Sequence, residues 1–233
     1  MLKKTYDAEN KYEVGVDECA RGPMFGRLYT AGVILPKDNF DHEKMKDSKK
    51  IKNKKVMKDL SNYIKENSIA WNISYIEADE IDNINIRQAV LKSMTNSIKE
   101  VIKQLDDKEG VFLVIDGNDY IGYIDEETEK EIKHVCVEKG DNTYSFIAAA
   151  SILAKCEHDE YIEKLCEENP LLQERYGIRD NVGYGTKKHL EGIKNNGITQ
   201  WHRKTYGCCK EAKYNPIWSC LLYTSDAADE VVR

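Results

Sequence analysis

A chain of 233 residues is long enough for one large domain, or for a domain with a helical appendage. With 41% hydrophobic and 33% charged residues it can bury a sizeable core, but it has no apolar run long enough to span a bilayer and no apolar signal segment after Lys3–Lys4. The formal charge of −6 does not by itself favour a polyanionic partner, and the seven cysteines, without CxxC pairing, read as reduced thiols of a soluble, cytoplasmic and monomeric protein.

Residues 1–11 form a polar leader. Tyr12–Asp17 then reads as a short strand and Leu28–Leu35 as a second, β-branched one. Between Lys44 and Lys58 eight lysines accompany one acid, Asp47, and Asn53–Asn67 has helical spacing. Ile69–Ile76 returns to strand character, and acids gather in Glu77–Asp82. From Asp79 to Leu105 the positions Ile86, Ala89, Val90, Met94, Ile98, Val101 and Ile102 recur at three and four, which predicts an amphipathic helix of several turns.

Val111–Ile115 is a continuous apolar run ending in Asp116-Gly117, the pattern of a buried strand meeting its loop. A second acidic run spans Asp125–Glu131, and His134–Glu138 is a further strand. Tyr144–Glu167 contains Ile147-Ala148-Ala149-Ala150, as in a closely packed helix. From Asn169 helical pieces surround Gly183-Tyr184-Gly185, with a second basic cluster of Lys187, Lys188, His189, His202, Arg203 and Lys204. Each charged run also reads as a solvated helix face. Strands followed by strands alternating with helices predict an α/β fold with a mixed sheet flanked by helices. A zinc site from His202, Cys208, Cys209 and Cys220 matches no usual spacing. Leu221–Arg233 resembles a translated sequencing-adapter tail, and the expected division is leader 1–11, domain 12–207 and tail 208–233.

Four acids end apolar strands or sit beside glycine: Asp17 and Glu18 after Val14-Gly15-Val16, Asp116 before Gly117, and Asp141 after Gly140. Hydrolysis of a phosphodiester requires an activated water and a means to hold charge on the attacking and leaving oxygens. Carboxylates from several strands serve by binding two Mg²⁺ or Mn²⁺ ions roughly 4 Å apart. The same acids also fit strand-end caps, and spacing alone does not separate the two readings. Asp17 and Glu18 are adjacent, so the strand is expected to end or distort there if both are to face one metal site.

Gly15-Val16-Asp17-Glu18-Cys19-Ala20-Arg21-Gly22-Pro23 resembles the GVDEAGRGP opening of the type 2 ribonuclease H family. Asp47-Ser48-Lys49-Lys50, Ile84-Asn85-Ile86-Arg87-Gln88-Ala89, Ile115-Asp116-Gly117-Asn118, Lys139-Gly140-Asp141, Ala148-Ala149-Ala150-Ser151-Ile152-Leu153-Ala154-Lys155, Gly183-Tyr184-Gly185-Thr186 and His202-Arg203 follow in the family's order. The resemblance covers roughly residues 12–207. It implies a ribonuclease-H-like sheet with a helical C-terminal extension, and it places the metal carboxylates on Asp17, Glu18, Asp116 and Asp141.

The same resemblance implies that Ala20-Arg21-Gly22 stands at the loop that reads the ribose 2′-hydroxyl, and Tyr184 at the tyrosine that stacks on the next deoxyribose. It implies cleavage of RNA/DNA hybrids, and of duplex DNA containing ribonucleotides, on the 5′ side of the ribonucleotide, leaving a 3′-hydroxyl and a 5′-phosphate. Lysines would position phosphates without reading sequence. Lys49, Lys50, Ser151 and Lys155 are the candidates, with core packing an equal reading for Ser151.

Several positions depart from the family pattern. Ala20 replaces a glycine; if φ is positive there, alanine costs about 1 kcal/mol or more, which a shift of the loop would relieve. Phe25, Arg27, His158 and the segment Ile178–Val182 also depart. Asp159 reads as a helix-surface ion-pair residue. Two other functions stay open: a preference for runs of ribonucleotides, as in HIII relatives, which carry an extra N-terminal domain against the eleven residues before Tyr12 here, and a catalytically silent hybrid binder.

Overall fold

Apolar and β-branched segments of the first half assemble into one mixed sheet. A computed structural model describes residues 1–45, 48, 51 and 53–217. Lys49 and Lys50 lie outside the described residues, as does Cys220. The chain forms two compact units, one of Met1–Gly22 with Arg27–Glu160, the other of Pro23–Gly26 with the chain from Tyr161 onward.

In the first unit, β1 (Tyr12–Cys19), β2 (Leu28–Ile34), β3 (Ala70–Ile76), β4 (Val111–Asp116) and β7 (His134–Val137) lie in the order β3-β2-β1-β4-β7. The β1–β2 and β2–β3 pairs are antiparallel, whereas β1–β4 and β4–β7 are parallel. A short hairpin of β5 (Tyr123–Ile124) and β6 (Glu131–Ile132) lies between β4 and β7 in sequence. Its turn is organised by Asp125, which accepts the Thr128 N–H and hydroxyl at 2.9 Å each. This hairpin lies in the acidic run, where its strands are too short to show a period of two.

Helix α1 (Lys54–Asn67) starts at Asn53, whose side chain accepts the Lys55 and Val56 N–H groups. The long amphipathic helix expected over Asp79–Leu105 is two helices, α2 (Ala78–Ile84) and α3 (Ile86–Ile102). Asn85 interrupts it with φ 66° and caps α3 by accepting the Gln88 N–H at 3.1 Å. Apolar periodicity continues across the break, so periodicity alone does not reveal it. α3 covers one face of the sheet, where Gly32 lets Val101 approach and Thr30 Oγ1 lies 2.7 Å from Ser93 Oγ and 2.9 Å from Ser97 Oγ.

On the other face lies α4 (Ser145–Glu168), which belongs to the first unit as far as Glu160. A Cβ on Gly15 would sit 2.7 Å from the Phe146 carbonyl carbon, so glycine lets this helix rest directly on β1. Ala148, Ala149 and Ala150 are fully buried.

The second unit is helical, as expected of the C-terminal region. It contains α5 (Leu171–Tyr176), α6 (Ile178–Asn181) and α7 (Lys187–Asn196) around Phe25, Ile162, Leu172, Tyr176, Ile178 and Ile193. Among the described residues no helix is long and apolar enough to cross a membrane.

Candidate active site

Parallel strands put their carboxyl ends on one edge of a sheet, and the acids occur there. Val16 of β1 pairs with Ile115 of β4, so Asp17 and Asp116 follow side by side. Strand alternation turns both toward the α4 face, because Gly15, two residues before Asp17, packs on Phe146. β7 ends at Val137 beside Asp116, and the chain then turns through Lys139 (φ 56°) into Asp141. Asp116 Oδ1 accepts the Gly140 N–H at 2.6 Å, tying the β4 end to that turn. A Cβ on Gly140 would meet Ile147 Cδ1 at 2.6 Å and Asp116 Oδ1 at 3.2 Å, so glycine allows this approach without displacing either side chain.

Asp17 is 4% exposed and Asp141 2%. Burial raises the Asp17 carboxyl well above the ordinary carboxylate range, and the nearby charges of Asp116, Glu18 and Asp141 push in the same direction. A hydrogen bond from Ser151 opposes them. The Ser151 hydroxyl also lies 2.9 Å from that of Ser48. With Asp17 ionised, the hydrogen bonds run from Ser48 to Ser151 to Asp17. Ser48 stands in the Asp47–Lys50 motif, where a lone serine gives no sign in the sequence of a partner on α4.

The expected end or distortion of the strand between Asp17 and Glu18 is absent. Pairing with β2 continues through Cys19, with Asp17 opposite Ala31 and Glu18 opposite Thr30. Thr30 faces α3, so regular alternation places Glu18 on that side while Asp17 faces α4. Glu18 still belongs to the electrostatic environment of Asp17, because both stand at the strand's end. Arg21 Nη1 lies 3.8 Å from Glu18 Oε1.

Ala20 has φ 65° and is buried. The backbone at this loop therefore already has the left-handed conformation that a glycine would supply, and the expected relief by a shift of the loop does not occur. Arg21 and Gly22 are exposed. Lys155 reaches Asp159 at 2.9 Å, and His158 Nδ1 lies 3.1 Å from the other Asp159 oxygen. Burial would raise the Asp159 carboxyl, but the His158 hydrogen bond and the Lys155 charge and hydrogen bond bring it below its ordinary value.

In the second unit Tyr184 is 48% exposed. Its loop leaves α6 through Val182 (φ 43°) and Gly183 (φ 86°). A Cβ on Gly183 would lie 2.7 Å from the Phe25 carbonyl oxygen, and the Gly183 carbonyl accepts the Met24 N–H at 2.9 Å. Phe25, a departure from the family pattern, is thus a core residue of this unit.

The chain matches the family described as Ribonuclease HII over residues 14–209. It belongs to the ribonuclease HII family. Ribonuclease HII of Parabacteroides distasonis is 40% identical over 201 residues, covering 86% of this chain and 92% of the relative. Among solved structures, ribonuclease H2 from Pyrococcus horikoshii shares the fold at TM-score 0.66 and 21% identity, over 86% of this chain and 96% of that one. Bst-RNase HIII in complex with Mn²⁺ matches at TM-score 0.61 and 15% identity, over 86% of this chain and 68% of its own. Members of the ribonuclease HII family are metal-dependent endoribonucleases with ribonuclease H activity, and this chain is such an enzyme.

The donor set fits a hard divalent cation. It is made of carboxylates, and the mutual repulsion that raises Asp17 is what a cation would relieve. Among the described residues no three His, Cys, Asp or Glu side chains close around a common point as in a structural metal cage. Mg²⁺ sites in phosphoryl chemistry rarely have such a cage, since the ion keeps waters and takes one or two carboxylates plus substrate oxygens.

The second basic cluster expected from sequence is not one surface. Lys187, Lys188 and Lys204 are exposed, but His189, His202 and Arg203 are 0%, 1% and 0% exposed. Arg203 Nε donates to the Gly26 carbonyl at 3.1 Å, and its guanidinium lies over the Tyr206 ring. Burial pushes His202 down to about 3 and lowers His189 as well, so both are neutral near pH 7.

Proposed function

We propose that this enzyme hydrolyses the RNA strand of RNA/DNA hybrids and also cuts 5′ to a ribonucleotide embedded in duplex DNA, leaving a 3′-hydroxyl and a 5′-phosphate. Asp17, Asp116 and Asp141 from the α4 face, with Glu18 reaching round the end of β1, would hold two Mg²⁺ or Mn²⁺ ions. When bound, these ions supply a nucleophilic water and charge stabilisation on the attacking and leaving oxygens. The observation that carries the reading is the burial of Asp17 among the fields of Asp116, Glu18 and Asp141. A fold with no use for a cation would gain stability by replacing one of them.

The remaining groups orient. Gly140 fixes one Asp116 oxygen, and Ser151, backed by Ser48, fixes Asp17. Ala20-Arg21-Gly22 presents backbone to the 2′-hydroxyl, the group that distinguishes RNA from DNA at one position. The exposed Tyr184 ring stacks on the neighbouring deoxyribose, and Lys49 and Lys155 contact phosphate. The enzyme acts as a monomer in the cytoplasm, with residues 12–207 as the working domain.

The test is cleavage of two duplexes, one with a single embedded ribonucleotide and one with four, with Mg²⁺ and with Mn²⁺. Cutting of both on the 5′ side of a ribonucleotide is expected. Failure on the single-ribonucleotide duplex would reject junction recognition and leave the preference for runs.

A further inference from the structure

Tyr184 is held from inside the second unit as well as by its own loop. Its carbonyl oxygen lies 3.0 Å from His189 Nδ1, His189 Nε2 lies 3.1 Å from His202 Nε2, and His202 Nδ1 lies 2.9 Å from the Thr199 backbone nitrogen and 2.8 Å from its hydroxyl. Elementary donor rules give the proton positions. A backbone N–H only donates, so His202 Nδ1 is an acceptor and its proton is on Nε2. A carbonyl only accepts, so His189 carries its proton on Nδ1 and offers Nε2 to His202. The hydrogen bonds therefore run one way, from Thr199 to His202 to His189 to the Tyr184 carbonyl, with both rings neutral.

The surroundings keep them so. His189 and Thr199 are 0% exposed and His202 1%. The Phe25 and Tyr176 rings stand edge-on at 4.9 and 5.1 Å from the His202 ring. A buried histidine pair is most often a satisfied core element. This one differs in where it ends, on the main chain of a residue whose own ring is half exposed. The loop also has need of an anchor, because Val182 is β-branched and left-handed, a conformation that persists only where its surroundings impose it.

We infer that His189, oriented by His202, is a positioning residue for Tyr184: it fixes the peptide from which the exposed ring projects, and thereby sets affinity for the substrate sugar. The inference rests on the proposed reading of Tyr184 as a substrate contact. It predicts an effect on binding rather than on the chemical step.

Two substitutions divide the histidine's roles. In His189→Gln the amide oxygen takes the place of Nε2 and still accepts from His202, but the imidazole donor to the Tyr184 carbonyl is lost while the Thr186 N–H, at 2.8 Å, remains. In His189→Asn the amide nitrogen takes the place of Nδ1 and restores that donor. With the full chain, Mg²⁺ and an RNA/DNA hybrid, His189→Gln is expected to raise KM about tenfold, the scale of one lost buried hydrogen bond, with kcat within about twofold. Amide hydrogen exchange at Gly183–Thr186, measured without substrate, should quicken in the same variant. His189→Asn should return both quantities to within about threefold of the parent. In a Tyr184→Ala background, His189→Gln should change KM by less than about twofold.

Unchanged exchange and KM in His189→Gln would overturn the inference, as would an equal rise in KM with and without the Tyr184 ring. If Tyr184→Ala itself leaves KM unchanged while exchange still responds to His189→Gln, the substrate reading of Tyr184 is what fails, and the claim on affinity goes with it. Should the Gln variant not fold, His189→Asn still decides: fast loop exchange or a raised KM there overturns the inference, and parent-like values support it.

Discussion

The first unit buries acids beside one another, whereas the second buries two histidines in a chain whose donors and acceptors match. At the strand ends, desolvation and three like charges oppose ionisation of Asp17. In the helical unit, desolvation keeps His189 and His202 neutral, and neutrality is what their hydrogen bonds require. The contrast separates a group whose environment calls for a further charge from a group that is complete. On the proposed reading the first is a place for chemistry and the second a support.

The two regions respond oppositely to pH. Asp17 has a raised pKa in the fold, so its contribution to stability is present below the ordinary carboxylate range and is lost as pH rises through the raised value. His202 has a lowered pKa, so its contribution is present above the unfolded value of 6.5 and is lost as pH falls toward about 3.

Removing a charge from the acidic region should have the largest effect. Asp116→Asn is expected to lower cleavage by at least about 10³-fold, since a bound metal supplies several kcal/mol of transition-state stabilisation. Its thermal unfolding should stay close to the parent's. Substantial residual activity in a steady-state assay would reject the site.

Acid titration probes the other region. Below pH 6.5 each histidine kept neutral costs up to about 1.4 kcal/mol of stability per pH unit. Urea unfolding should therefore show a shallower loss between pH 6.5 and 5 for His202→Asn than for the parent. His42, also buried and lowered, contributes the same sign in both proteins and drops out of the difference. Equal slopes would mean that His202 is not held neutral by the fold.

How much of this was legible beforehand depended on whether the signal was local. Five strands of the sheet followed from apolar runs, and the acids at their ends from position beside glycine. What stayed hidden depended on partners distant in sequence. Asn85 breaks a helix without breaking its apolar period. Ser48 matters through Ser151, 103 residues away. His189 and His202 counted as charges in a basic cluster because a sequence shows residue type and not burial. Arg203 was misread for the same reason, since its guanidinium lies inside the second unit. Glu18 is a subtler case, because alternation correctly placed it opposite Asp17 and only the expected distortion of the strand was wrong.

A milder change sharpens the comparison from the side of stability. Asp17→Asn, measured without divalent metal at pH 7 and above, should stabilise the fold by roughly 1 kcal/mol, as relief of functional-site strain commonly does. Added Mg²⁺ should raise the melting temperature of the parent more than that of the variant. A destabilised variant would indicate that the Asp17 hydrogen bonds to Ser151 and to the Glu18 N–H outweigh the repulsion.

The smallest expected effect is at Ala20, where three terms of similar size oppose one another. A left-handed alanine costs about 1–2 kcal/mol, which Ala20→Gly would remove. The same change exposes no new polar group but forfeits burial of a methyl worth about 0.8 kcal/mol, and it gives the unfolded chain back about 0.5–1 kcal/mol of entropy. The sum lies within about 1 kcal/mol of zero, so chemical denaturation should show a shift no larger than that. Because Ala20 already has φ 65°, the glycine variant presents the same backbone, and its preference between single-ribonucleotide and four-ribonucleotide duplexes should stay within about threefold of the parent's. A larger gain on the single-ribonucleotide duplex would show that the Ala20 methyl, rather than the backbone it shapes, limits recognition of the 2′-hydroxyl.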